Sequence, residues 1–184
     1  MCDDFFVNFF RKKMQIGVLG PAGTFSDLAF SAFFRGKKAE KIFFENFSEM
    51  FSALFSKKLD AIFVPVKTKI RAVAEIQKLQ KKYHFSAENY FDFPVEYFLV
   101  GRKNDEIFKI FGRDESFLVA ENFLKKHFSR AEKIAVESSA TAVEKLKTGK
   151  NAAAICAEKS AGNFEILKKV GDGMTTFALL KAQN

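Results

Sequence analysis

An α/β fold in two consecutive halves is predicted by three observations on this chain of 184 residues. Short apolar runs alternate with stretches of helical period along its length, as in strand–helix–strand units around a parallel sheet. The run 61–66 is apolar almost throughout, as expected of a strand covered on both faces. The run 15–19 ends on Gly20-Pro21-Ala22-Gly23, a breaker that turns a strand into a helix.

The elements follow in order. After the strand at 15–19, Thr24 or Ser26 can cap a helix running to about residue 35, with Phe25, Leu28, Ala29, Ala32 and Phe33 on one face. A strand at 41–44 precedes a helix at 48–57 with Met50, Phe51, Leu54 and Phe55 inward, and then the strand at 61–66. Residues 70–83 are expected to be helical and 93–100 a long strand. The second half repeats the plan: strand 107–111, helix 115–127, strand 133–136, helix 141–146, strand 152–156 and a short helix at 157–161. Two further strands are expected, at 166–170 and 175–180. Glycine and proline fall at turns rather than in a linker, so the halves should pack closely.

Composition narrows the classes. A 48% hydrophobic fraction excludes intrinsic disorder, and 10 Gly with 3 Pro exclude collagen-like or low-complexity character. The net charge of +8 invites nucleic acid, but the lysines sit in scattered pairs such as Lys81-Lys82 and Lys125-Lys126. Such pairs suit solvated helix ends near the C-terminal turn, and no nucleic-acid-binding motif accompanies them. No apolar stretch reaches the ~18 residues of a membrane helix, and residues 1–13 do not have the charge order of a signal peptide. A cytoplasmic protein without nucleic-acid or membrane partners is expected. Cys2 and Cys156 frame no disulfide or metal pattern, and Cys156 is expected to be a buried thiol. His84 and His127 are expected at the surface or at a helix end, and no metal ligand set can be assembled.

The stretch Ile16-Gly17-Val18-Leu19-Gly20-Pro21-Ala22-Gly23-Thr24-Phe25-Ser26 places glycines between a strand's carboxyl end and a helix N-terminus, where free N–H groups favour an anion. It is neither a Walker loop nor a dinucleotide fingerprint. It resembles the opening L-G-P-x-G-T-F-S of the prephenate dehydratase family. The resemblance continues from Met14 onward: Phe47 to Lys57 is similar to F-x-x-x-F-x-A-V, and Leu59-Asp60-Ala61-Ile62-Phe63-Val64-Pro65-Val66 to A-D-Y-x-V-V-P-I. Val136-Glu137-Ser138-Ser139-Ala140-Thr141-Ala142 is similar to E-S-T-S-x-A, residues 151–162 to A-A-I-a-s-x-x-A-A-x-x-Y-G, and Gly173-Met174-Thr175-Thr176-Phe177 to N-x-T-R-F.

The resemblance implies two Rossmann-like lobes, similar to those of type II periplasmic-binding proteins, with the ligand cleft between them. Lobe 1 is expected at about 14–95 plus 175–184, lobe 2 at about 96–174, and residues 1–13 as an extension. It implies no metal or organic cofactor and a chain without the family's regulatory ACT domain. The family's frequent dimers leave a homodimer open.

By the same resemblance the substrate is a small dianion, prephenate or arogenate. Thr175 is the expected catalytic donor, and Gly20, Pro21, Gly23, Thr24, Ser138, Ser139 and Phe177 are expected around the substrate. Ser138 and Ser139 can equally cap the helix that follows them. The chain departs from the family at three places: Lys67-Thr68-Lys69 stands for E-N-S, Phe111-Gly112-Arg113-Asp114-Glu115 for Y-S-H-P-Q, and Thr176 for the Arg of T-R-F. Thr176 cannot replace a guanidinium that grips a carboxylate bidentately. Lys67, Lys69 and Arg113, all at strand carboxyl ends, are the candidate replacement cations, the alternative being loops that have drifted to solvent-facing Lys and Arg without a ligand. The implied reaction is conversion of prephenate to phenylpyruvate, for L-phenylalanine biosynthesis. The alternatives are decarboxylation without aromatisation, or a binding protein that kept the cleft.

Overall fold

A computed structural model describes residues 13–67 and 71–182, apart from the side chains of Arg71 and Ala72. Residues 1–12 of the expected extension, with Cys2, and the candidate cation Lys69 lie outside the described residues.

The first half runs β1 (Met14–Leu19), α1 (Phe25–Phe33), β2 (Ala39–Phe44), α2 (Phe47–Phe55), β3 (Ala61–Lys67) and α3 (Arg71–Tyr83). A long strand, β4 (Phe85–Gly101), leads to β5 (Lys109–Gly112), α4 (Asp114–Val119), α5 (Glu121–His127), β6 (Glu132–Ala135), α6 (Ser139–Thr148) and β7 (Ala152–Cys156). A 3₁₀ turn at Glu158–Ser160 precedes β8 (Glu165–Ala182).

All eight strands form one sheet in the order β2-β1-β3-β8-β4-β7-β5-β6. Its two ends share one plan. In β2-β1-β3 and in β7-β5-β6 the earliest strand lies in the middle, with parallel partners on either side. The long strands β4 and β8 run antiparallel between these ends and tie them together. Parallel pairs need crossovers, and the helices supply them.

Helix starts are encoded locally. Thr24 accepts a hydrogen bond from the Asp27 N–H at the head of α1, Asn46 from Glu49 at α2, and Ser138 from Thr141 at α6. Four buried clusters cover both faces of both halves. Met50, Phe51, Leu54 and Ile76 pack under α2 and α3, and Phe30, Phe34, Phe63 and Phe177 under α1. Ile110, Leu124 and Tyr97 belong to the third cluster, and Val143, Leu146 and Cys156 to the fourth. Cys156 is buried as expected, and burial pushes its thiol up to about 12. Among the described residues no helix is long and apolar enough to cross a membrane.

The structure corrects four element expectations. The strands expected at 166–170 and 175–180 are one strand, because Gly171 and Gly173 stay extended and paired with Tyr97 and Val95 of β4. The strand expected at 93–100 begins at Phe85, where its partner β8 still provides a ladder. The helix expected at 115–127 breaks at Ala120 into α4 and α5. Phe55, expected inward, is exposed and lies against the Tyr83 ring at 5.0 Å.

Candidate functional site

The carboxyl ends of the parallel strands from both halves face one cleft of about 520 Å³. Leu19 and Asn46 border it from the first half, Arg113 and Val136 from the second. In open α/β sheets this end is where ligands bind, because helix N-termini and strand-end loops converge there. The acidic residues Glu45, Glu75, Asp114, Glu115 and Glu137 line this cleft together with Arg113. The Arg113 Nε lies 2.9 Å from Glu115 Oε1, and both side chains are largely shielded. A substrate carboxylate must therefore share Arg113 with Glu115 or displace it.

A second cavity, of about 380 Å³, adjoins the cleft through Glu115. It lies over the β4–β8 pair, with Thr175, Gly173 and Tyr97 on its surface and Val95, Leu118 and Met174 supplying apolar walls. Thr175 is only 5% exposed and Tyr97 only 6%. Neither hydroxyl has a hydrogen-bond partner among the described residues. No sealed polar side-chain atom among them lacks a partner, so both oxygens open onto the cavity. Burial, reinforced by the negative charge of Glu115 and opposed by Arg113, pushes the Tyr97 phenol up to about 12.

The glycine loop holds an anion of its own. Gly23 N–H donates to Asp27 Oδ2 at 2.7 Å, and Asp27 is in turn paired with Lys41. Gly20 N–H donates to the Phe44 carbonyl at 2.9 Å, and Thr24 N–H to the Pro21 carbonyl at 3.4 Å. The Thr24 hydroxyl reaches the Leu19 carbonyl at 3.3 Å. Pro21 is exposed. The loop also fastens the two halves, since Ser160 Oγ donates to the Gly23 carbonyl at 2.7 Å. Gly23 has φ +85°, and a Cβ there would come within 3.1 Å of the Lys159 carbonyl oxygen.

The remaining candidates are dispersed. Lys67 is exposed beside a different depression, with Val66, Gln80, Tyr90 and Thr176, so it does not share the cleft with Arg113. Thr176 is turned toward β4, where its hydroxyl donates to Asp92 Oδ1 at 2.5 Å. Ser138 caps α6 at 3.0 Å from the Thr141 nitrogen, and Ser139 is buried in the first turn of that helix. Phe177 is 1% exposed and stacks on Phe63 with centroids 5.1 Å apart, so it is part of the core. His84 and His127 are both exposed, and His127 ends α5 against Phe123. Among the described residues no group of His, Cys, Asp or Glu could hold a metal ion.

Sequence reasoning missed Tyr97 and Glu115. The signal for Tyr97 was present: in β4 the alternating positions Phe93, Val95, Tyr97 and Leu99 face inward, and only Tyr97 carries a polar atom. Glu115 lies in the segment that departs from Y-S-H-P-Q, but its burial depends on the start of α4 meeting β4 and β8, which the sequence does not show.

Two α/β halves, a shared sheet and a cleft at strand carboxyl ends define a protein with the periplasmic-binding-protein type of architecture. A methionine-binding protein, MetQ, superimposes with a TM-score of 0.57 at 10% identity, over 92% of this chain and 83% of that one. The family model described as prephenate dehydratase matches residues 16–183, and the chain belongs to that family. A prephenate dehydratase from Arthrobacter aurescens, solved in complex with L-Phe, has a TM-score of 0.77 and 21% identity over 92% of this chain. One from Staphylococcus aureus has a TM-score of 0.73 and 22% identity, over 93% of this chain and 67% of that one. This chain spans 61% of the Arthrobacter protein's length. No curated protein sequence matches.

Proposed function

We propose that this protein is a prephenate dehydratase-like lyase, converting prephenate into phenylpyruvate, carbon dioxide and water, a step of L-phenylalanine formation. One observation carries the reading: Thr175, the retained threonine of the T-R-F segment, presents an unpaired hydroxyl to a cavity that Val95, Leu118, Val119 and Met174 line together with Tyr97, Glu115 and Asp172. Loss of the ring carboxylate as carbon dioxide leaves an electron pair that completes the aromatic ring as the C4 hydroxyl departs. The Thr175 hydroxyl donates a hydrogen bond to that departing oxygen, which leaves as water with one proton drawn from solvent. Arg113 receives the remaining carboxylate by exchanging its contact with Glu115. Lobe 1 at about 14–95 with the end of β8, and lobe 2 at about 96–174, close on the substrate from either side. The reading carries a cytoplasmic location and no cofactor with it.

Thr176 favours a second reading. Its hydroxyl is paired with Asp92, so no cation follows Thr175, and decarboxylation without aromatisation is the corresponding chemistry. One assay separates the readings. The protein is incubated with prephenate while the ultraviolet spectrum and products are recorded. Phenylpyruvate is the expected product. A non-aromatic dihydro product supports the second reading, and calorimetric binding without turnover a binding protein. Neither turnover nor binding overturns all three. Thr175→Val should lower turnover by about 10²-fold with a small change in KM, and Arg113→Ala should weaken binding of prephenate.

A further inference from the structure

β4 and β8 pair with Phe93 opposite Thr175, Val95 opposite Gly173 and Tyr97 opposite Gly171. Partners in such a ladder share a face of the sheet, so Thr175, Gly173 and Tyr97 lie along one line on the cavity surface. Gly173 leaves that line open in the middle, and a Cβ there would sit 3.6 Å from the Val95 side chain. The two hydroxyls therefore stand at opposite ends of a trough rather than at one point. Four residues of strand separate their positions, roughly 13 Å along the backbone.

The Tyr97 ring is fixed from behind by the edge of Phe25, at 4.9 Å and 64°. Beside it stand Glu115 and Arg113, both close enough to act on its phenol electrostatically. Arg113 contacts Glu115 through Nε and lines the adjoining cleft, which meets this cavity at Glu115. Apolar side chains of Val95, Leu118 and Met174 flank the middle. A hydroxyl that opens onto a cavity and has no protein partner is left to hydrogen-bond water or a ligand. Here there are two, one at each end of a floor flanked by Val95, Leu118 and Met174, with the Glu115 and Asp172 carboxylates also on the lining.

We propose that Tyr97 is a second ligand-binding hydroxyl of this cavity. It donates to one polar end of a compact ring carboxylate whose apolar middle lies over Gly173 and whose other polar end meets Thr175. The proposal rests on the reading of Thr175 as the residue facing the substrate. With its phenol held at about 12, Tyr97 stays protonated at neutral pH and acts as a donor rather than as a base. A ligand with oxygen at one end only would satisfy one hydroxyl and leave the other unpaired, which gives the pair its selectivity.

The test uses two probes on the full chain. One is prephenate; the other is cis-4-hydroxycyclohexanecarboxylate, an inert ring with oxygen groups at both ends. Tyrosine occurs three times, so protein grown with 3-fluorotyrosine gives three fluorine resonances, assigned with Tyr83→Phe and Tyr90→Phe. Both probes are expected to shift the Tyr97 resonance, and Tyr97→Phe to raise the calorimetric Kd of each about tenfold with its melting temperature retained. If Tyr97→Phe does not fold, the fluorine shift in the unmutated chain decides alone. Should the hydroxy acid behave this way and prephenate not bind, Tyr97 keeps its role and the dehydratase reading falls. Should prephenate bind and respond to Thr175→Val while Tyr97→Phe and the Tyr97 resonance do not respond, the Tyr97 role is overturned and the reading survives. If neither probe binds, both are overturned.

Discussion

Cys156 and Tyr97 are held protonated by burial, and the sign of that effect fixes an alkaline limit on stability. Each has a folded-state pKa of about 12, above the ordinary 9.0 of the thiol and 10.0 of the phenol. The folded state thus holds both protons more tightly than the unfolded state does. The stabilisation is complete below the unfolded values and is lost as pH rises through roughly 9 to 12. Melting temperatures recorded from pH 8 to 12 should fall over that window. The decline should be shallower for a Cys156→Ala/Tyr97→Phe variant; an equal slope would refute the assignment. Charge in the cleft gives a second expectation at this scale. Glu45 and Glu137 are exposed acids beside Arg113, so replacing either with glutamine should tighten prephenate binding about two- to fivefold at low salt, with less effect at high salt. Calorimetry at two ionic strengths measures it.

Helix caps and strand continuity behave differently when read from sequence. Thr24, Asn46 and Ser138 each stand at a helix start and accept the hydrogen bond expected of such residues. Asn46→Ala and Ser138→Ala should each cost about 1 kcal/mol in urea unfolding. Loss of either cap with no change in midpoint would mean that tertiary packing alone holds that helix end. Strand β8 shows the opposite case. Gly171 and Gly173 suggest a break to a local reading, because glycine weakens strands and marks turns. The ladder with β4 overrides them: Tyr97 and Val95 pair with these glycines, and extra residues on β8, Val170 opposite the Tyr97–Phe98 step and Leu167 opposite the Leu99–Val100 step, absorb the irregularity. At Gly171 close approach explains the residue, since a Cβ would come within 2.3 Å of Val119 Cγ1. Gly171→Ala should therefore displace α4 and lower the melting temperature, whereas Gly173→Ala should fold but fill the trough. The helix break at Ala120 was equally hidden, because the apolar period runs through it unbroken.

On the scale of the whole molecule, the two halves are joined by the β4–β8 pair and clasped at the Gly23 loop. Ser160→Ala removes the hydrogen bond from the second half to the Gly23 carbonyl and should cost about 1 kcal/mol. Gly23→Ala should cost more, about 2 kcal/mol, because it adds a strained positive φ to a close contact with the Lys159 carbonyl oxygen. Denaturant unfolding of both variants checks the order, and a reversed order would locate the clasp elsewhere. The sequence by itself determined the α/β class, the repeated plan of strands and helices, the helix starts at Thr24 and Ser138 and the family, because these rest on local periodicity, capping chemistry and contiguous motifs. It also placed Thr175 on a strand, as β8 has it. Only the tertiary structure decided that Lys67 lies apart from Arg113, that Phe177 belongs to the core, and that the glycine loop already holds Asp27. Tyr97 and Glu115 entered the site by the same route. A side chain's neighbours across a sheet are set by register and crossover, and residues 78 positions apart in sequence, Tyr97 and Thr175, meet in one cavity only once β4 and β8 have paired.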